Sequence, residues 1–323
     1  MEKEKKPGFF DELKSSRKCT EIEEPIDLWF TEPVGFVFTV VARKFGVHPN
    51  AVTFVSMVCG LAGGILFYPR NFWINLTGVL LFILSIVLDA TDGQLARLTH
   101  KTSELGRLLD GLSTMVGYAG AYFALGFRMS DEYIPFTETK WGGWIWIVIV
   151  VSALFFHARQ DRMADYFRNL HLLFALGKSG SELTTSESLR KRAAELKGGK
   201  PSLERLYLRF YIPYTAMQER STPRTQEFLR AAEARDGENF PENREVAEAY
   251  RERSLRIVQL TNLLTINLRA YALFILLLLG LHVYYFPFLV IVMGTLDVIM
   301  VRGYEKIASD LKEKYYPGDS GTR

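Results

Sequence analysis

The sequence predicts an all-α, polytopic membrane protein with six transmembrane helices, an N-terminal interfacial helix and a helical cytoplasmic insert. The chain has 323 residues, of which 48% are hydrophobic, and these are concentrated in six long stretches. Apolar runs of about 17 to 25 residues suit helices that cross a bilayer. Charged residues are concentrated between positions 159 and 256 and at the two ends. This separation excludes a plain soluble globule and a disordered chain.

The interfacial helix is expected over residues 27–46, where aromatic and aliphatic residues surround a few charges and a proline. That mixture suits a helix lying along the headgroup boundary, although a first spanning segment is the alternative. Gly60, Gly63 and Gly64 in the next stretch would let helices approach closely. The six spans are expected at about residues 51–68, 72–88, 108–127, 141–156, 257–281 and 286–301.

Basic residues lie mainly on the side of the predicted spans that holds both termini. The positive-inside rule therefore places the termini, the 89–106 segment and the insert in the cytoplasm. We expect a multi-pass protein of the bacterial inner membrane with its active site on the cytoplasmic side. The net charge of +3 gives no case for nucleic-acid binding. The basic residues concerned are Arg43, Lys44, Arg97, Lys101, Arg107, Arg159, Arg162, Arg302 and Lys306.

Five regions follow from this plan. They are a polar cytoplasmic leader (1–26), the interfacial helix with four spans (27–158), a charged helical insert (159–256), the last two spans (257–303) and a cytoplasmic tail (304–323). The first region lacks the apolar core of a cleaved signal peptide. With two cysteines in the chain, no disulfide framework is implied.

The insert has a strongly basic part that also carries aromatic residues. Between Arg190 and Arg230 there are ten basic and four acidic residues, with leucine, phenylalanine and tyrosine among them. Two interpretations stay open: a solvated pair of amphipathic helices, or a surface that contacts lipid headgroups.

Three carboxylates are expected to converge where the second and third spans meet. Asp89 and Asp92 are one helical turn apart at the end of the second span, and Asp110 begins the third span, which returns antiparallel beside the second. Carboxylates in membrane spans are rare and usually functional. Negative charges held together favour a shared hard cation, Mg²⁺ or Mn²⁺, and Arg97 suits phosphate oxygens. A salt-bridged cluster or an ion path is the alternative.

This segment resembles the CDP-alcohol phosphatidyltransferase signature, D-x2-D-G-x2-A-R-x8-G-x3-D-x3-D. The resemblance implies that Asp89, Asp92 and Asp110 hold the metal and that Asp110 is catalytic. It also implies that five of the signature residues contact the CDP group. The residues on the signature are Asp89, Asp92, Gly93, Ala96, Arg97, Gly106 and Asp110, and those expected to contact CDP are Asp89, Gly93, Ala96, Arg97 and Gly106.

The sequence departs from the signature at its last position, where Thr114 stands in place of the fourth aspartate. In the family that aspartate is taken to deprotonate the attacking hydroxyl, which a threonine cannot do at neutral pH. None of the candidate replacements has the family spacing. They are His100, Glu104, His157, Asp161, Asp165 and Asp297.

Further charges lie in or beside the predicted spans. Arg269 and Asp297 either pair with each other, or Arg269 binds an acceptor phosphate. Arg159 and Arg162 are either topology determinants or phosphate ligands.

The resemblance implies an enzyme of phospholipid biosynthesis that moves a substituted phosphate from a CDP-linked donor to an alcohol and releases CMP. Six spans favour CDP-diacylglycerol over a CDP-amino alcohol as donor, with membrane lipids as surroundings; a homodimer is also considered. Thr114 motivates a second hypothesis, a catalytically weakened homologue that binds a CDP compound or lipid. A channel or transporter would not explain the glycine, alanine and arginine spacing.

Overall fold

A computed structural model describes residue 8 and residues 12–13, 21–101, 104–196 and 203–318. Over these residues the chain is helical, with no strand beyond an isolated bridge between Tyr133 and Lys140. The all-α prediction is confirmed for this part. The main helices are α1 (Glu32–Lys44), α2 (Pro49–Ile65), α3 (Phe72–Thr99), α4 (Glu104–Ser130), α5 (Trp144–Val151), α6 (Ala158–Leu176), α7 (Ser186–Glu195), α8 (Leu203–Ser221), α9 (Pro223–Asp236), α10 (Arg244–Asn262), α11 (Ile266–Leu278) and α12 (Gly294–Tyr315).

The described residues form two compact units. The first contains the described residues up to Val150 together with Tyr271–Tyr285, and the second contains Val151–Ala270 and the described residues from Phe286 onward. The signature lies in the first unit. The described residues of the charged insert lie in the second.

Four helical stretches among the described residues are long and apolar enough to cross a membrane, which agrees with a polytopic membrane protein. The helices at the predicted first and third spans, α2 and α4, are not among them, and α2 has 17 residues. Six spans and the interfacial location of α1 therefore stay predictions. The four stretches are Phe72–Thr99, Trp144–Leu176, Arg244–Leu278 and His282–Tyr315.

These helices run well past the predicted span ends. The stretch that begins at Trp144 continues to Leu176, because no glycine or proline interrupts it before Gly177, whose φ of 74° ends the helix. Ser152–His157 within it is a π-helical segment, as is Phe288–Met293 before α12. The insert therefore begins as an extension of a span.

Glycines hold α2 closely against both α3 and α4 in the first unit. A Cβ on Gly64 would lie 2.5 Å from the backbone nitrogen of Ala121 in α4. One on Gly63 would lie 2.7 Å from the carbonyl oxygen of Gly78 in α3. Such contacts bring helix backbones together without side chains between them, as expected for small residues in membrane helices.

A polar cluster closes the turn between α2 and α3. Arg128 Nη1 donates to Phe67 O at 3.0 Å and to Asn75 Oδ1 at 2.9 Å. Arg70 and His282 both contact Glu132, His282 Nε2 at 2.8 Å. Burial alone would raise the pKa of Glu132, but the hydrogen bond with His282 and the charges around it lower that pKa below its ordinary value. The cluster satisfies backbone carbonyls that the turn leaves open.

Aromatic stacking and one buried carboxylate organise the second unit. Phe167 stacks on Tyr304 with ring centroids 4.1 Å apart. Glu305 of α12 accepts hydrogen bonds from the backbone nitrogens of Arg224 and Thr225, at 2.8 and 3.0 Å, and from Thr225 Oγ1. It therefore caps the N-terminus of α9, where unpaired N–H groups and the helix dipole favour a negative charge.

Replacing Gly64 with leucine should destabilise the first unit by about 1–3 kcal/mol, because the side chain would enter the backbone of α4. Thermal unfolding in detergent measures the change. Gly143→Ala is the control, since a Cβ there would have no atom within 4 Å. Equal melting temperatures for the two variants would contradict the close packing.

Candidate active site

The helix that carries the signature, α3, has two polar faces. Thr91 and Gln94 point to α1: Thr91 Oγ1 donates to Gly35 O at 3.1 Å, and Gln94 Nε2 donates to Glu32 O at 3.1 Å. Thr39 Oγ1 lies 3.1 Å from Gln94 Oε1. At 100° per residue, Asp89, Gly93 and Ala96 fall on the opposite side. Thr91 and Gln94, which the signature does not specify, thus attach α3 to α1. This attachment turns Asp89, Gly93 and Ala96, which the signature does specify, away from α1.

The two aspartates of α3 differ in their surroundings. Asp92 is 5% exposed, whereas Asp89 is half-buried. The Ser113 hydroxyl of α4 donates to Asp89 Oδ1. Since Ser113 is 2% exposed, this contact lies inside the helix interface. It fixes one oxygen of the carboxylate and joins the two helices that carry the signature.

Arg97 is exposed, and its guanidinium lies over Gly93. A Cβ on residue 93 would be 3.3 Å from Arg97 Nη1. The glycine therefore leaves room for a permanent cation close to the helix backbone. Ala96, one turn after Asp92, is half-buried and adds only a methyl group to this face.

The second part of the signature lies at the start of α4. Gly106 and Thr114 are half-buried, and Thr114 directly follows the Ser113 that contacts Asp89. The side chain of Asp110 lies outside the described residues, so its predicted convergence with Asp89 and Asp92 stays a prediction. Among the side chains that are described, no group of three or more His, Cys, Asp or Glu residues lies within reach of one metal ion.

Two of the candidate replacement bases lie at the end of α3 and at the start of α4. His100 ends α3 in the left-handed conformation (φ 52°) and is exposed. A helix-ending residue of this kind closes the last turn. The side chain of Glu104 is outside the described residues.

His157, Asp161 and Arg269 form one ion-pair group in the second unit. His157 Nε2 is 3.0 Å from Asp161 Oδ2, and Arg269 Nη1 is 2.6 Å from Asp161 Oδ1. The Arg269 side chain is fully buried and also donates to Leu264 O. An arginine in this position acts first as a partner of Asp161, which weakens the prediction that it binds an acceptor phosphate.

Asp297 pairs with Arg159, not with Arg269. Arg159 Nε donates to Asp297 Oδ2 at 2.8 Å, so the expected Arg269–Asp297 pair is wrong. Sequence distance could not distinguish the partners, because both arginines have long side chains and lie in or beside predicted spans. Arg159 is 36% exposed, while Asp297 is 4% exposed. Arg159 thus keeps an open side toward solvent, and its phosphate-binding role stays a prediction.

Asp165 lies one turn beyond Asp161 and faces α8. Tyr214 Oη donates to Asp165 Oδ2 at 3.2 Å, and Asn169 Nδ2 donates to Asp165 Oδ1 at 3.0 Å. Burial raises the pKa of Tyr214 well above its usual value, and the Asp165 charge acts in the same direction. These contacts give Asp165 a structural partner on each side.

Residues 46–169 match the family model of the CDP-alcohol phosphatidyltransferases, which confirms the resemblance predicted from the signature. The chain therefore carries a CDP-alcohol phosphatidyltransferase domain over that region.

The phosphatidylinositol phosphate synthase of Streptomyces avermitilis is 36% identical to this chain over 94 residues. The aligned part covers 28% of this chain and 36% of that protein, so the chain spans about a third of the length of the relative. No solved structure matches the chain.

Ser113, Thr91, Gln94 and Thr39 were missed by the sequence analysis. All four are buried hydroxyl or amide residues inside apolar helices. A buried polar side chain in a membrane helix requires a partner, so their position beside the signature carried a usable signal.

Asp161→Asn should destabilise the second unit by about 1–3 kcal/mol, because Asp161 is itself 45% exposed but its loss leaves a fully buried arginine without its carboxylate partner. Thermal unfolding in detergent measures it. The matched control is Asp310→Asn, whose pair with Arg253 is nearly half exposed and is worth about 1 kcal/mol or less. Similar shifts for both variants would show that Arg269 does not depend on Asp161.

Proposed function

We propose that this protein is an integral membrane enzyme of phospholipid biosynthesis that transfers a substituted phosphate, most simply a phosphatidyl group, from a CDP-linked donor to an alcohol with release of CMP. The observation that carries the proposal is the signature itself: Asp89, Gly93 and Ala96 share one face of α3 within the matched domain, and Arg97 lies over Gly93. The face opposite is used for attachment to α1.

The residues on this face fit a hard divalent cation in chemical kind. Asp89 and Asp92 supply carboxylate oxygens one turn apart, and Ser113 holds one oxygen of Asp89 in place. With Asp110, they would hold Mg²⁺ or Mn²⁺. When bound, such an ion neutralises diphosphate charge and helps the CMP leaving group depart.

The CDP group would be held by the residues around Gly93. Arg97 presents a planar cation suited to phosphate oxygens, and Gly93, Ala96 and Gly106 give the nucleotide access to the helix backbone. Thr114 adjoins the Asp89–Ser113 contact, so the position of the missing carboxylate lies beside the interface of α3 and α4. Of the two arginines predicted to contact an acceptor phosphate, the partly exposed Arg159 is the better candidate, because Arg269 is fully buried against Asp161.

We propose CDP-diacylglycerol as the donor. The name of the Streptomyces avermitilis relative makes inositol phosphate the first acceptor to test, before glycerol phosphate, inositol and serine. Active-site placement at the cytoplasmic surface of the bacterial inner membrane would let the lipid enter from the bilayer while the nucleotide stays in water. A homodimer remains part of the proposal.

Asp89→Asn should lower the rate of CMP release at least 10²-fold, because it removes a carboxylate expected to bind the metal. The assay uses purified protein with CDP-diacylglycerol, an acceptor panel and Mg²⁺ or Mn²⁺, and a chelator should stop the reaction. The matched control is Asp131→Asn, an exposed acidic residue after α4, which should keep full activity. A fully active Asp89→Asn variant would refute the assignment.

The second candidate function is a catalytically weakened homologue that still binds a CDP compound or a lipid. Thr114 favours it, because a neutral hydroxyl neither accepts the proton of an alcohol nor binds a cation strongly. In that case binding of CDP compounds persists while turnover is low.

Thr114→Asp should raise CMP release by about 10²-fold if the native site lacks a base, which is the ordinary contribution of general base catalysis. The same acceptor panel measures it. Thr139→Asp, at an exposed position after α4, is the control for added charge and should have no effect. Unchanged or lost activity in Thr114→Asp, with a turning-over native enzyme, would show that another residue already serves as the base.

A further inference from the structure

One face of α8 is apolar and open to its surroundings. Leu206, Phe210 and Met217 are 46%, 65% and 49% exposed, and Pro213 is also exposed. At 100° per residue these four side chains fall within about 60° of each other around the helix. An exposed stripe of this kind on a helix marks a contact surface.

Charged and aromatic residues border the stripe. Arg209 and Arg220, both exposed, lie next to it on one side. Tyr207, Tyr211 and Tyr214 border the other side and stack on one another, with ring centroids 4.8 and 5.7 Å apart. Apolar residues flanked by arginine and tyrosine are typical of helices at a membrane–water interface.

A contact within the second unit fixes the position of α8 along the candidate span Trp144–Leu176. Gln218 Nε2 donates to Arg162 O at 3.0 Å, which ties α8 to the beginning of α6. The preceding turn of the same continuous helix exposes Leu154 and Phe155, at 62% and 66%, as lipid-facing residues would be. Arg162 is seven residues beyond Phe155, or about 10 Å along the helix axis. One headgroup layer is about 5–8 Å thick, so Arg162 would lie at or just beyond the outer edge of that layer if Phe155 contacts the ends of the acyl region.

We propose that α8 lies along the headgroup boundary of an anionic membrane, with Leu206, Phe210 and Met217 in the acyl region and Arg209 and Arg220 on lipid phosphates. The stripe alone would also fit a second copy of the chain. The two arginines at its edge and the attachment of α8 beside the end of an apolar span favour lipid. The helix would hold the insert against the bilayer surface, independently of any catalytic activity.

The test uses the full chain in a Cys19→Ala, Cys59→Ala background, with Met217→Cys carrying an environment-sensitive fluorophore. The matched control is Ala234→Cys, an exposed position on α9. Both proteins are reconstituted in vesicles of phosphatidylcholine, with and without phosphatidylglycerol, that contain acyl-brominated lipid as quencher. We expect strong quenching at 217 and little at 234, with more at 217 when phosphatidylglycerol is present. Leu206→Cys provides a second labelled position if Met217→Cys lowers the yield of folded protein.

Charge is tested separately with Arg209→Gln combined with Arg220→Gln. This variant leaves the stripe intact and should reduce membrane association of the label by about fivefold for each arginine in vesicles with phosphatidylglycerol. Equal quenching in both lipid mixtures would overturn the anionic surface. A label at 217 as water-exposed as the one at 234 would overturn the membrane contact. Self-quenching at 217 that disappears at low protein-to-lipid ratio would show that a second copy covers the stripe instead.

Discussion

Close approach of α2 to its two neighbours is the constraint on which the first unit depends. Gly64 meets the backbone of Ala121, and Gly63 meets that of Gly78, so no side chain separates these helices. Helices held at this distance have little freedom to slide, because packed interfaces resist small shifts. The position of Asp89 relative to Ser113 is therefore set by glycines two to four turns away. The chemistry proposed for the signature therefore depends on glycine contacts of α2 that include no reactive side chain.

The charged groups of the two main ion pairs in the second unit differ in how deeply they are buried. Arg269 is fully buried and contacts Asp161, while the half-exposed Arg159 contacts the buried Asp297. Each pair thus joins one buried and one partly exposed group. In a region of low polarity such pairs contribute mainly by avoiding an unpaired charge, which makes them determinants of one specific helix arrangement.

Much of the fold could be predicted from the sequence, because apolar runs and glycine spacing report directly on helices and their contacts. The placement of signature residues on one side of α3 was also predictable, because Asp89, Gly93 and Arg97 share one helix face at that spacing. The sequence did not identify which side chains form ion pairs and hydrogen bonds with each other. Asp297 had two arginines within plausible reach, and nothing in the sequence indicated that the Ser113 hydroxyl donates a hydrogen bond to Asp89. Helix ends were missed where α6 extends a span, because polar composition alone does not stop a helix; Gly177 does.

The cap on α9 has a consequence for how the protein is made. Glu305 binds the backbone nitrogens of Arg224 and Thr225, which precede it by about 80 residues. On the ribosome the start of α9 emerges well before its cap, and the whole predicted last pair of spans must be synthesised in between. The start of α9 therefore lacks this cap until Glu305 has been synthesised. A chain that ended before residue 305 would lack the carboxylate that caps the start of α9, so the first turn of this helix depends on a residue of the final helix.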